Sequence, residues 1–238
     1  MATAVPRVPV PAPAFIRMLA RLADSDPAPS GRSPADQLGQ WIDWSRAVAL
    51  SRALDGPLQA PAGMPQADAS GVEECARVRA SLAASIASPR IRPADPAADA
   101  ATATADGYAP WRQHCLSMQR SMLAASGRLR GQLRERLAGT APEMARLAEV
   151  DAVMEGALGP REQTLLANVP TLLGLHFERL RKAAGDAPPG DASANAPWLD
   201  RFQRELQAVL LAELDFRFQP VDALLAALRP YPTASATP

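Results

Sequence analysis

With 238 residues, 47% of them hydrophobic but only 5% aromatic, the chain can bury one sizeable core. Its 25 basic and 25 acidic residues cancel, which excludes whole-surface attraction to nucleic acid or anionic lipid and leaves room only for a local basic patch. The two cysteines, Cys75 and Cys115, lack framework spacing, so the composition argues against a disulfide scaffold and for a reducing cytoplasm.

Residues 1–12 alternate with proline and read as a disordered tail. No apolar run reaches the roughly 18 residues of a membrane span, and prolines interrupt any signal-peptide core, so the reading is a cytoplasmic protein with no transmembrane segment. Ala14 to Ala23 sets Phe15, Met18, Leu19 and Leu22 against Arg17 and Arg21. So short an amphipathic helix needs docking, on the chain's own core by preference, on a membrane surface as the alternative. Ser33-Pro34-Ala35-Asp36 is a helix start, and the helix is predicted to run unbroken to Leu54 or Asp55, where Gly56-Pro57 stops it. Trp41 and Trp44 within it are read as core rather than as a partner-binding face. After a Pro/Gly/Ala linker, Ser70-Gly71-Val72-Glu73 resembles a capping box. The helix it opens turns Val72, Cys75, Val78, Leu82 and Ile86 inward and ends near Ser88-Pro89. Residues 89–109 have no period and form a flexible linker.

Pro110 to Ala138 is the next long helix. Trp111, Cys115, Met118, Met122, Ala125, Leu129 and Leu133 share one side, while Arg112, Arg120, Arg128, Arg130 and Arg134 fall across the other. Gly139 stops it, and Thr140-Ala141-Pro142-Glu143 caps the next helix, which so short a connection forces to run antiparallel. That segment spans Met144 to Ala183, with breaks or kinks predicted at Gly159-Pro160 and Val169-Pro170. A last linker leads to Pro197–Arg229, whose large apolar residues from Phe202 to Leu228 recur every three or four places. Asp200 with Arg204, and Glu213 with Arg217, are placed on the opposite side as helix-supporting pairs, and Pro220 is predicted to stop or bend the helix. Residues 230–238 form a second disordered tail. The fold class is all-α: N-terminal helices over 13–88 and a C-terminal antiparallel bundle over 110–229, with no strand pattern anywhere.

Chemistry is hard to find in this sequence. His114 and His176 are its only histidines and no metal-ligand spacing exists, so no metal and no cofactor are expected. Both cysteines lie in apolar arcs and read as core; Glu213 and Asp215 are two apart and diverge; no glycine-rich phosphate loop or nucleophile elbow is present. The expectation is therefore a protein without catalytic residues. The arginine side formed by Arg112, Arg120, Arg128, Arg130 and Arg134 is the candidate partner-binding face. A solvated helix face is the plainer reading of it, because no aromatics interleave the arginines as nucleic-acid binding favours.

Three passages, LGQWIDWSRAVALSRAL (38–54), LAEVDAVMEGALGPREQTLLANVPTLLGLHFERLR (147–181) and LLAELDFRFQPVDALLAALR (210–229), resemble an uncharacterised proteobacterial family with only a domain-of-unknown-function label. The likeness spans most of the chain outside the linkers, and Gly159-Pro160 departs from it. Genes of that family neighbour those of MotA/TolQ/ExbB-like and OmpA-like proteins, so the resemblance implies an accessory of a proton-driven envelope complex and carries over no catalytic residue. The sequence reading is thus a non-catalytic helical scaffold or adaptor with protein partners and a capacity for homo-oligomerisation. The alternative is an Arg-mediated nucleic-acid-binding or regulatory protein.

Overall fold

The computed structural model describes residues 14–24, 34–57, 70–88, 107–185 and 197–229, and all statements of structure refer to these. The readings of disordered tails at 1–12 and 230–238, of the joints between helices, and of the caps at Ser33 and Ser70 lie outside the described residues or side chains. The described part is helical: α1 (Ala14–Leu22), α2 (Pro34–Trp41), α3 (Trp44–Asp55), α4 (Ser70–Ala87), α5 (Ala109–Ala138), α6 (Pro142–Leu166), α7 (Val169–Gly185) and α8 (Pro197–Leu228). No described residue is in a strand, and no described helix is long and apolar enough to cross a membrane.

The periodic stripe of α8 is the axis of the core. Phe202, Leu206, Leu210, Leu214, Phe218 and Val221 are buried, as the helical spacing requires. On α5 the inward residues Trp111, Cys115, Met122, Leu129 and Leu133 are buried against it. α4 lies across both, with Cys75 and Ile86 in the core and Arg79 paired to Asp215 (3.0 Å) and Asp222 (3.1 Å) of α8. α7 joins through Phe177, whose ring meets that of Phe202 at 5.0 Å and that of Trp198 at 5.2 Å. The nine-residue α1 is docked, not free: Phe15 stacks on Phe216 of α8 at 5.9 Å, and Leu22 is buried. All these elements contribute to one hydrophobic core.

α5 and α6 form the antiparallel pair that the short connection demanded, for Gln119 reaches Leu166 while Arg130, further along α5, meets Asp151, earlier on α6. The connection itself is built differently from the prediction. Ala141, not Thr140, is the N-cap of α6, and Thr140 turns back to bond the Arg136 carbonyl at 2.9 Å. α3 packs on α6, antiparallel to it. The Arg161 guanidinium lies over the Trp41 ring at 5.1 Å at one end, and Arg146 donates to the Gly56 carbonyl at the other.

Three further expectations are corrected. The unbroken helix from Pro34 to Asp55 is interrupted at Ile42–Asp43, where the Asp43 carboxylate accepts from the Arg46 amide at 2.9 Å and starts α3 afresh. Trp44 then points outward and is 82% exposed, contrary to its reading as core. Val72 is likewise outside the core, being 46% exposed in the first turn of α4. Neither Pro160 nor Pro220 ends its helix. α6 and α8 run through them, while the chain does break at Ala167–Asn168, where Val169-Pro170 was expected to interrupt it.

Candidate interaction groove

The five candidate arginines of α5 are divided among three tasks. Arg128 pairs with Glu74 of α4 at 2.7 Å. Arg130 and Arg134 clamp α6, Arg130 to Asp151 at 2.6 Å and Arg134 to Glu155 at 2.6 Å. These side chains are largely buried, so the four charges form a seam between two helices. Arg112 and Arg120 are exposed and have no ion pair among the described residues. A single basic face therefore does not form. Of the five, Arg112 and Arg120 are exposed and, among the described residues, unpaired, while Arg128 is half exposed but paired.

Beside Arg120 the helices part. α6 and α8 both rest on α5, but they diverge above it, leaving a groove of about 500 Å³ that continues into a second hollow of about 320 Å³. Leu123 lines both and is 40% exposed. Met154, Leu158 and Phe216 add apolar surface, and Gly127, Gly156 and Gly159 add depth, since a Cβ built on any of the three meets nothing within 4 Å.

Under the groove sits a buried polar cluster. Glu213 is fully buried; its carboxylate accepts from Arg217 Nη2 at 2.8 Å and from Gln119 Nε2 at 3.0 Å. Gln119 also donates to the Leu166 carbonyl at 2.9 Å, satisfying a carbonyl at the end of α6. Arg217 extends to Glu162 at 3.3 Å, linking α8 to α6. Burial pushes the Glu213 carboxyl above its ordinary value; the Arg217 charge and the hydrogen bonds from Gln119 and Arg217 pull back only part of the way. The expectation that Glu213 and Arg217 sit opposite the stripe is therefore wrong. At 100° per residue, Glu213 falls between the directions of Phe202 and Leu206, and Arg217 between those of Leu206 and Leu210, so both belong inside the apolar arc. Helical phase was the signal that finds them.

The remaining reactive groups are spent internally. Burial raises the Cys75 thiol and lifts Cys115 to about 12, so neither is a thiolate at neutral pH. His176 Nε2 meets Glu205, and Arg201 holds the other carboxylate oxygen at 3.0 Å. Burial opposes the charge on Glu205, but these two partners outweigh it and lower its carboxyl. His114 Nε2 is buried with no hydrogen-bond partner, and burial lowers that imidazole. Among the described residues no group of three or more His, Cys, Asp or Glu side chains is placed to hold a metal.

Comparison with known proteins adds one match. A family model described as "Protein of unknown function (DUF3348)" covers residues 1–230. No curated protein and no solved structure matches the chain.

Proposed function

We propose, for a chain that belongs to the DUF3348 family of proteins of unknown function, that it is a non-catalytic helical adaptor holding a protein partner in the groove over α5. The observation that carries this reading is the separation of α6 from α8, which leaves apolar side chains and three glycines lining an open channel in otherwise close-packed helices. In this reading the Glu213–Arg217 cluster is a positioning element, since each charge is taken up by the other and by Gln119 and Glu162. In this reading the partner belongs to a proton-channel/OmpA-type envelope complex, with the protein on its cytoplasmic side.

The test is a photo-reactive amino acid at Leu123, with a second at Trp44 on the remote α3, both introduced in the native host. The adaptor reading expects one protein to cross-link from position 123. That protein, purified, should bind the wild type and lose at least roughly tenfold in affinity for a Gly156→Trp variant whose fold is unchanged. Absence of any protein cross-linked from position 123, whatever position 44 captures, would end it.

A further inference from the structure

Resting on the adaptor reading, we infer that the groove takes an amphipathic helix whose apolar edge is flanked by carboxylates. Shape is the first argument. Of the α5 residues that line the groove, Gln113, Leu116, Arg120, Leu123, Gly127 and Arg130 recur in steps of three and four, with Gln119 and Ser126 beside them. That spacing is the seam a helix presents to another helix lying along it. From Gln113 to Arg130 the seam runs about 25 Å at 1.5 Å per residue, room for four or five turns of a visiting helix. Gly127, Gly156 and Gly159 let its backbone approach closely where bulkier residues would hold it off.

Charge is the second argument. Glu155 and Glu162 line one half of the groove, but Arg130, Arg134 and Arg217 already hold them. The half around Gln113, Leu116 and Leu123 has no carboxylate at all, only Arg120, Arg217 and glutamine side chains. Among the described residues, Arg120 is the one charge on the groove wall without an opposite. A partner that seats apolar side chains on Leu116 and Leu123 brings its flanking positions over Arg120, where a carboxylate gains a charge-assisted bond and a basic residue is repelled. A polynucleotide fits worse, because it would need several unpaired cations along the groove and Arg120 is the one that the described lining offers.

The experiment uses the full chain and three labelled synthetic helices of about 15 residues. One has a leucine edge flanked by glutamates, the second has lysines in their place, and the third is the acidic helix broken by a central proline. Fluorescence anisotropy should show the acidic helix binding roughly tenfold tighter than the basic one, with the broken helix failing. Arg120→Glu should reverse that order. Gly127→Trp should abolish binding with circular dichroism and melting temperature unchanged, and Gly156→Leu serves if that variant is unstable. Equal affinity for both charges, binding that survives the filled groove, or no binding by any helix overturns the inference. A concentration-dependent dimer in sedimentation that Gly127→Trp dissociates overturns it too, by assigning the groove to a second copy. Any of these can occur while position 123 still cross-links a partner, so this inference and the adaptor reading fail separately.

Discussion

Glu213 is 0% exposed in the middle of an apolar stripe, so its ion pair with Arg217 works against a heavy desolvation cost and its contribution to stability turns on the whole cluster, not on the pair alone. Removing the carboxylate in Glu213→Leu leaves a buried guanidinium with only Glu162, and should cost about 3–5 kcal/mol in urea unfolding. The double variant Glu213→Leu/Arg217→Met should recover most of that loss, since apolar replacement of a buried pair is often neutral or stabilising. A double variant no more stable than the single would show that the cluster does more than position helices. Glycines give a second residue-scale contrast. Gly127→Ala adds a methyl to open space in a helix and should stabilise by about 0.5–1 kcal/mol. Gly174→Ala drives its Cβ to 2.8 Å from the Tyr108 ring, which is anchored by a hydrogen bond to the Pro170 carbonyl, and should lower the melting temperature despite the same helix preference.

At the scale of elements, α8 is the part on which the others converge. Leu210 is fully buried at its centre, so Leu210→Asp should abolish cooperative melting of the whole helical array, read by circular dichroism. α5 and α8 were legible in the sequence because their apolar steps hold over many turns and place buried residues redundantly. The break between α2 and α3 was not, since Asp43 between two tryptophans keeps the apolar period going and only its cap to Arg46 betrays it. The two interior prolines do not break their helices. Each removes an amide and costs roughly 3 kcal/mol locally, yet the packing of α6 and α8 outweighs that penalty. Glu213 and Arg217 were misplaced because their charge was given more weight than their phase; carried through, the helical period puts both inside.

Across the whole molecule, acid and base act on stability through different helices. Glu213 has a raised carboxyl, so its contribution is fully present below the ordinary value of 4.5 and is lost as pH rises through the folded value above it. His114 has a lowered imidazole, so its contribution is present above the ordinary value of 6.5 and is lost as pH falls through the folded value below it. Melting temperature against pH should therefore change shape in two variants: Glu213→Gln should remove a decline that begins above pH 4.5, and His114→Gln should remove one that begins below pH 6.5. Curves parallel to the wild type in both would refute the assignment. The groove itself was not legible in the sequence, because it depends on how far α6 and α8 diverge over α5 and no residue pattern encodes that distance. One consequence follows from the prolines that line it. Lacking an amide, Pro160 and Pro220 cannot cap the carbonyls of Gly156 and Phe216, one turn earlier, and those residues line the channel as well. Each helical ladder is thus one bond short at a residue that lines the channel, one on the α6 flank and one on the α8 flank.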